Sequence, residues 1–530
     1  MQSLFGDCFL AHKNGQSGTI PMKYVVGCDI GSQSLKVVLI SEKGQICGES
    51  SISYPIDYPL PTWAEQSPNL WMDAMAQAMR ALMAKTDISP RDILALGLDA
   101  QVDGVVAVDE QGKPLYPAMI WMDRRAVPQS EVAGRQISQG AVFQITGLNL
   151  DPSHVAPKIK WLADNQPRLI EKTVHFLLPG SYVAFELTGE LGVDYSNASS
   201  TLLMDVRTRT WSQEMCDVFE IPMRLLPPIY PATQVIGMLK PDVAERVGLL
   251  TKTKVILGSG DEHAACLGAG VTRPGLVCDI AGTGEPVCTV SAEPIFDPSR
   301  LVETHSHADP QVWLLENPGF ISGANYRWFR DQFGSQEVKR AAEKGVDAYE
   351  LLSQEAASIP AGSEGLIMLP CLMGAMAPTW NALARGTFVG FTLAHRREHF
   401  CRAILEGSAY AIRDITDQML RMGLPLEEIR VVGGGARSAL WRQIKADVTG
   451  LPISITNTVD TTALGAGILA LAGAGLIDTL DEAVKLTTYV VETRQPHEKN
   501  RALYEEYYQL YRSTYFSLVP VFEQASKINL

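Results

Sequence analysis

Lys23–Ile30 is a largely apolar run rich in β-branched residues, followed by Gly31-Ser32-Gln33-Ser34 and a second apolar run, Leu35–Ile40. Short apolar runs bounded by turn residues predict two buried strands joined by a tight turn, and Lys43-Gly44 predicts another turn after them. Trp71–Met83 (WMDAMAQAMRALM) spaces its apolar side chains three and four apart and predicts a helix; Ile93–Leu98 predicts the next strand. The same order then returns. Gly275–Ile280 reads as a strand, Ala281-Gly282-Thr283-Gly284 as a turn and Pro286–Val290 as a strand. The helical spacing of His399–Arg421 leads to an apolar strand, Ile429–Val432, then to Gly433-Gly434-Gly435 and a helix from Ser438. Even Cys28-Asp29-Ile30 and Cys278-Asp279-Ile280 share their letters. Two copies of one mixed α/β unit predict an internal duplication. At 530 residues the chain is too long for one core. Arg273-Pro274-Gly275 punctuates it, which predicts domains over 22–272 and 273–530. Residues 1–21 lack the basic start and sustained apolar stretch of a signal peptide, and are expected to be a disordered extension ahead of Met22.

Composition narrows the class. Hydrophobic residues make up 46% and charged residues 20%, as in an ordinary globular protein. With 45 basic and 59 acidic residues the net charge is −14, which argues against a nucleic-acid partner. No apolar run is long enough to span a bilayer, so no membrane partner is expected. Nine cysteines without metal-site or redox spacing read as reduced thiols of a cytoplasmic protein.

The glycine turns carry the first chemistry. Backbone amides at the tip of such a turn form an anion-attracting nest, and two nests on opposite walls suit a polyphosphate. Each turn alone reads equally as a plain hairpin. Lys36 adds a positive charge after the first turn. Asp29 ends its strand there, and a carboxylate beside phosphates calls for a cation; Mg²⁺, which takes few protein ligands, fits. Asp261, in Gly258-Ser259-Gly260-Asp261-Glu262-His263, stands at a strand-to-helix junction, as a helix cap or as the acceptor of a hydroxyl proton. His263, inside the helical run, reads as structural. Gly433–Gly435 is a strand–glycine–helix junction suited to close packing or to seating an adenosine. No loop ends in Gly-Lys-Ser/Thr, so there is no P-loop. Gly465-Ala466-Gly467-Ile468-Leu469-Ala470 matches a dinucleotide fingerprint loosely but follows no strand, and reads as a small-residue packing helix.

Together these segments resemble the FGGY carbohydrate kinases, over nearly the whole chain from Lys23. Asp29–Ser34 with Lys36 is similar to that family's first phosphate loop, Trp63–Pro68 with Trp71 to its early aromatic-acidic segment, and Ala281–Gly284 to its second phosphate loop. Gly386-Thr387-Phe388-Val389-Gly390-Phe391, His399-Phe400 and Ala403–Glu406 fit its C-terminal signature; Ser153–Asn165, with Lys158, Trp161 and Leu162, resembles its N-terminal one. Gly433–Ser438 with Leu440–Gln443 resembles its adenosine motif, and Ala463–Ala466 its closing small-residue helix. Val155 stands where Pro, Ser or Thr is usual, the second loop reads Gly-Thr-Gly rather than Gly-Thr-Ser, and Val102-Asp103 replaces the Met-His of xylulokinases.

The resemblance implies a duplicated actin-like (ribonuclease H-like) α/β ATPase fold whose two domains face a cleft. It implies ATP bound by Gly31, Ser32, Gln33, Lys36, Gly282, Thr283, Gly434, Gly435, Arg437 and Ser438. Mg²⁺ would be held with help from Asp29, and Asp261 would act as catalytic base. A small sugar or polyol would contact Gln101, Val102, Asp103, Trp121, Asp123, Arg124, Asp261 and Glu262, with a ketopentose the first choice. Another ketose or a four- or five-carbon polyol is the alternative, and a non-catalytic sugar and nucleotide sensor is the alternative of a different class. A homodimer is the assembly to test.

Overall fold

Strand β1 (Tyr24–Ile30) is apolar on both sides because both faces of its sheet are covered. Val26 and Cys28 point into one core with Trp71, Met75 and Met79, while Val25 points into another with Ile40, Leu464 and Ile468. The first face is covered by helix α1 (Pro68–Lys85), which starts with Pro68 in its first turn and buries its stripe from Trp71 to Leu82. The computed structural model describes residues 22–528; the extension expected over 1–21 lies outside them.

The N-terminal sheet has six strands. β2 (Ser34–Ser41) and β3 (Ile46–Ser53) follow β1 as antiparallel neighbours. β4 (Ile93–Ala100) lies parallel on the other side of β1, followed by β5 (Val235–Met238) and β6 (Lys254–Gly260), in spatial order β5-β6-β4-β1-β2-β3. The C-terminal sheet repeats the plan with seven strands. These are β7 (Gly275–Ile280), β8 (Val287–Ser291), β9 (Glu303–Ser306), β10 (Trp313–Asn317), β11 (Leu426–Val432), β12 (Ile453–Thr456) and β13 (Val490–Arg494). Their order is β9-β10-β8-β7-β11-β12-β13. β7 takes the place of β1, pairing antiparallel with β8 and parallel with β11. The duplication is therefore real in space: Asp29 and Asp279 occupy equivalent strand ends.

The two longest helices of the C-terminal lobe pack together. α2 (Arg397–Arg421) runs through its core, and a final helix, Glu498–Ala525, packs on it through Tyr504, Tyr508, Tyr511 and Tyr515. The spacing of four, three and four keeps these rings on one face, and Tyr511 lies 5.2 Å from Tyr410 of α2.

The boundary near Arg273 is crossed in space. Helix α3 (Thr462–Gly473), the segment with the loose dinucleotide match, lies on the N-terminal sheet and on the helix Asp261–Gly268. Its small residues permit this. A Cβ on Gly27 of β1 would stand 2.0 Å from the Ala463 carbonyl oxygen, and one on Gly465 would stand 2.0 Å from that of Ala264. Only glycines allow backbones this close. Cys28, Cys216, Cys266, Cys278, Cys288, Cys371 and Cys401 are buried free thiols, whereas Cys47 departs from the expected reduced state and is disulfide-bonded. Among the described residues, no helix is long and apolar enough to cross a membrane.

Candidate active site

The first turn joins β1 to β2 and is held from three sides. Tyr54 Oη donates to the Gly31 carbonyl at 2.5 Å, Gln66 Nε2 to the Ser32 carbonyl at 2.6 Å, and Trp121 Nε1 to Ser32 Oγ at 2.8 Å. Gly31 spends its own amide on Ser34 O at 3.1 Å. In the second turn Gly282 donates to Ile280 O and Gly284 O at 2.8 and 3.0 Å. Neither glycine therefore offers the amide that a phosphate nest requires. Among the described residues, the amides of Ser32, Gln33, Thr283 and Gly284 make no hydrogen bond and are the ones left free at the two turns.

Other nucleotide-side expectations also shift. Lys36 Nζ lies 3.1 Å from both Glu49 and Asp460, so its charge is already neutralised, half of it by the other lobe. Ser438 Oγ caps the helix Ala439–Thr449 by accepting from Trp441 N at 3.2 Å and is not free. Gly435 is a packing residue: a Cβ there would meet that of Ala281 at 2.6 Å. Gly434 faces open space and Arg437 is exposed, as a nucleotide seat needs.

The carboxyl groups gather where β1, β4 and β6 end. Asp29 pairs in register with Asp99 of β4, and Asp261 starts the helix after β6. Burial pushes Asp29 up to about 6, despite the nearby Lys36 charge. Burial, reinforced by Glu262 and Asp29, pushes Asp261 well above the carboxylate range. Asp99 is buried and neither of its oxygens has a donor. A cation would relieve this crowding, so the residues fit Mg²⁺. Among the described residues no three His, Cys, Asp or Glu side chains are placed to enclose a metal.

On the far side of Asp261 lies a polar wall. Gln101 donates to Gln66 Oε1 at 3.0 Å and leaves its own Oε1 buried and unpartnered. Val102 packs against Gly260, the residue before Asp261. Asp103 adopts a left-handed backbone, φ 59°, and its Oδ1 lies 3.1 Å from His154 Nδ1. Against the burial that would lower it, Asp103, Glu303 and Asp151 raise the His154 pKa to about 9, so the pair is ionic at neutral pH. Lys158 Nζ donates to the carbonyls of Asp103 and Ile120 at 2.7 and 2.8 Å and ties the two loops together.

Two expected sugar ligands are otherwise engaged. Asp123 is fully buried, accepts from Ala64 N at 2.7 Å and pairs with Arg125 at 2.6 Å, so it cannot reach a substrate. Arg125 in turn lies over the Trp63 ring at 3.6 Å, which accounts for the aromatic-acidic segment as a support. Arg124 forms a two-bond pair with Asp151 at 3.0 and 2.9 Å. Trp121, 46% exposed, stands at the rim. His263 is buried against His305 and held neutral by burial, as a structural residue.

The chain matches the family models for the FGGY family of carbohydrate kinases, the N-terminal domain over residues 24–268 and the C-terminal domain over 279–474. The chain belongs to this family. It is 29% identical to the xylulose kinase of Bacillus subtilis (strain 168) over 93% of this chain and 97% of that protein. It is 30% identical to the gluconokinase of the same organism over 86% and 89%. The crystal structure of ligand-bound xylulose kinase from Lactobacillus acidophilus superposes with a TM-score of 0.86 at 27% identity, covering 95% of this chain and 99% of that one. The FGGY fold is thus an actin-like duplication here too, and the chain is a carbohydrate-kinase phosphotransferase.

Within that FGGY frame, sequence reasoning missed Gln66, Asp99, Arg125 and His154. Gln66 and Arg125 sit inside or beside quoted motifs and had a signal. His154 also lies in such a motif, Ser153–Asn165, but its pairing with Asp103 comes only from folding, and Asp99 acquires meaning only from what folding places next to it.

Proposed function

We propose that this FGGY kinase transfers the γ-phosphoryl group of ATP to a hydroxyl of a small uncharged sugar, a ketopentose first. The observation that carries this reading is the place of Asp261, between Asp29 at the phosphate turn and Glu262, Asp103 and His154 beyond it. Its raised pKa makes it a stronger base than a free aspartate, suited to accepting the proton of an attacking hydroxyl. Gln101 Oε1 and the Asp103–His154 pair offer acceptors and a donor for neighbouring hydroxyls. The free turn amides and open Gly434 suit the polyphosphate and adenosine. Mg²⁺, held with Asp29 when bound, supplies charge neutralisation of the phosphates.

Asp103 with its cationic partner favours a second reading, a four- or five-carbon polyol or another ketose, because a carboxylate takes two adjacent hydroxyls at once. A coupled ADP-release assay across ketoses, aldoses and polyols tests both. D-xylulose or another ketopentose is expected to give the highest kcat/KM; a polyol in that place selects the second reading. Asp261→Asn, in the same assay, is expected to lower kcat about 10²–10⁴-fold with little change in either KM. Near-normal turnover in that variant removes Asp261 as the base.

A further inference from the structure

The C-terminal lobe contributes a wall to the acceptor side that the reading above does not use. β9 and β10 are antiparallel, and their register sets Glu303 directly opposite Glu316. His305, two residues after Glu303, falls on the same face. Like charges directly opposite on paired strands destabilise a sheet, so this pair calls for compensation from outside it. The N-terminal lobe supplies part. Asn149 donates its backbone and side-chain N–H to Glu303 Oε1 at 2.8 and 2.9 Å. Burial pushes the Glu316 carboxyl up, and across the domain boundary the Glu262 carboxyl lies close enough for its charge to add to that push. His305 Nε2 is 3.8 Å from Glu316 Oε2, too far for a hydrogen bond. Glu316 Oε2 and His305 Nδ1 have no partner among the described residues, although Glu316 is only 2% and His305 6% exposed.

We propose that Glu316 is a specificity residue of the acceptor site: with Glu262 it binds hydroxyls of an uncharged polyhydroxy substrate and excludes sugar acids. The inference rests on the kinase reading of this site. Asp103, Asp261, Glu262, Glu303 and Glu316 converge here with few cations free to answer them. His154 is paired with Asp103, Lys158 with two carbonyls and Arg124 with Asp151. The histidines behind the wall bring no charge, since burial holds His263, His305 and His307 neutral. Burial and Glu262 already push the Glu316 carboxyl up, so the site holds more carboxyl groups than it ionises. A substrate carboxylate adds one more negative charge and nothing to receive it. A hydroxyl donates to the unpartnered Glu316 oxygen and accepts from a neighbouring proton, which satisfies both.

The test is calorimetric binding to the full-length protein with D-xylulose, ribitol and D-gluconate as probes, beside ADP release with each. The wild type is expected to bind D-xylulose or ribitol at least about 100-fold more tightly than gluconate. Glu316→Gln keeps the shape and removes the charge; it is expected to narrow that ratio at least about tenfold. Glu303→Gln, probing the opposite strand, is expected to shift the ratio the same way, and guards against a Glu316 variant that fails to fold. Gluconate binding the wild type as tightly as the neutral probes, no binding of any probe, or ratios unchanged in both variants overturns the proposal. The expected binding ratios without ADP release with any probe would leave this inference standing and sink the proposed transfer to a ketopentose or polyol instead.

Discussion

Asp103 shows how a turn residue becomes a recognition residue. Its left-handed backbone is tolerable for aspartate next to glycine, and Lys158 holds its carbonyl there, so the carboxylate is aimed at His154. That pairing has a pH signature. His154 has a folded pKa of about 9 against about 6.5 when unfolded. Its contribution is complete below pH 6.5 and is lost as pH rises through 9, about 3 kcal/mol in all. Lys158, depressed by burial to about 8, works in the opposite sense in part of this window. The informative quantity is therefore the difference in unfolding free energy between wild type and His154→Gln, measured by denaturant titration from pH 6 to 9.5. It should shrink steadily with pH; a difference that stays constant removes the ionic pair. Asp29, Asp261 and Lys158 were legible in sequence because each lies in a contiguous motif. His154 lies in the same motif as Lys158, yet its pairing was not legible, since its partner is 51 residues away. The misread ligand Asp123 failed for a related reason: Arg125 turns inward, and nothing in the run Asp-Arg-Arg says which charge points where.

The two equivalent strand ends have been given opposite fates. Asp29 faces the carboxyl cluster, while Asp279 lies beneath the second turn and is taken by Lys445 at 2.5 Å, a lysine that also pairs with Glu285 at the far end of that turn. Lys445 is buried, and Asp279 and Glu285 hold its charge in place against the cost of burial. We predict that Lys445→Met, which leaves two buried acids facing each other, costs about 3–5 kcal/mol. By loosening the turn it should raise the KM for ATP more than the KM for the acceptor. An unfolding midpoint and ATP KM equal to the wild type would reduce the triad to an incidental pair. At this scale most of the fold could be read. The strands β1, β2, β4, β7 and β11 and the helices α1 and α2 announce themselves through continuous or periodic apolar positions. β9 does not, because a strand whose buried positions are Glu, Thr, His and Ser has no hydrophobic alternation to detect, and β10 offers only the short apolar run Trp313–Leu315 before Glu316 and Asn317.

As a whole the molecule is two lobes exchanging parts. The duplication was visible in the order of elements, but the exchange was not, because pattern says that Gly465–Ala470 packs closely and not against what. Gly27→Ala tests it. Its Cβ would collide with the Ala463 carbonyl, so the helix α3 has to retreat from the sheet, at about 1–3 kcal/mol or more. Gly434→Ala, whose Cβ meets nothing, should stay within about 0.5 kcal/mol of wild type. Equal urea midpoints for the two variants would mean that the contact bears no strain. The exchange also reaches into biosynthesis. Val25, Val38, Ile40, Ala95 and Ile256 are all translated by the time β6 emerges, yet Leu464 and Ile468, which cover them, come about 200 residues later. At translation speeds of about 5–20 residues per second the newborn sheet waits roughly 10–40 s with an apolar face bare. Production of this enzyme is thus expected to depend on how well the cell shields a half-made chain, and mutations that slow translation between β6 and α3 should lower yield without touching the finished molecule.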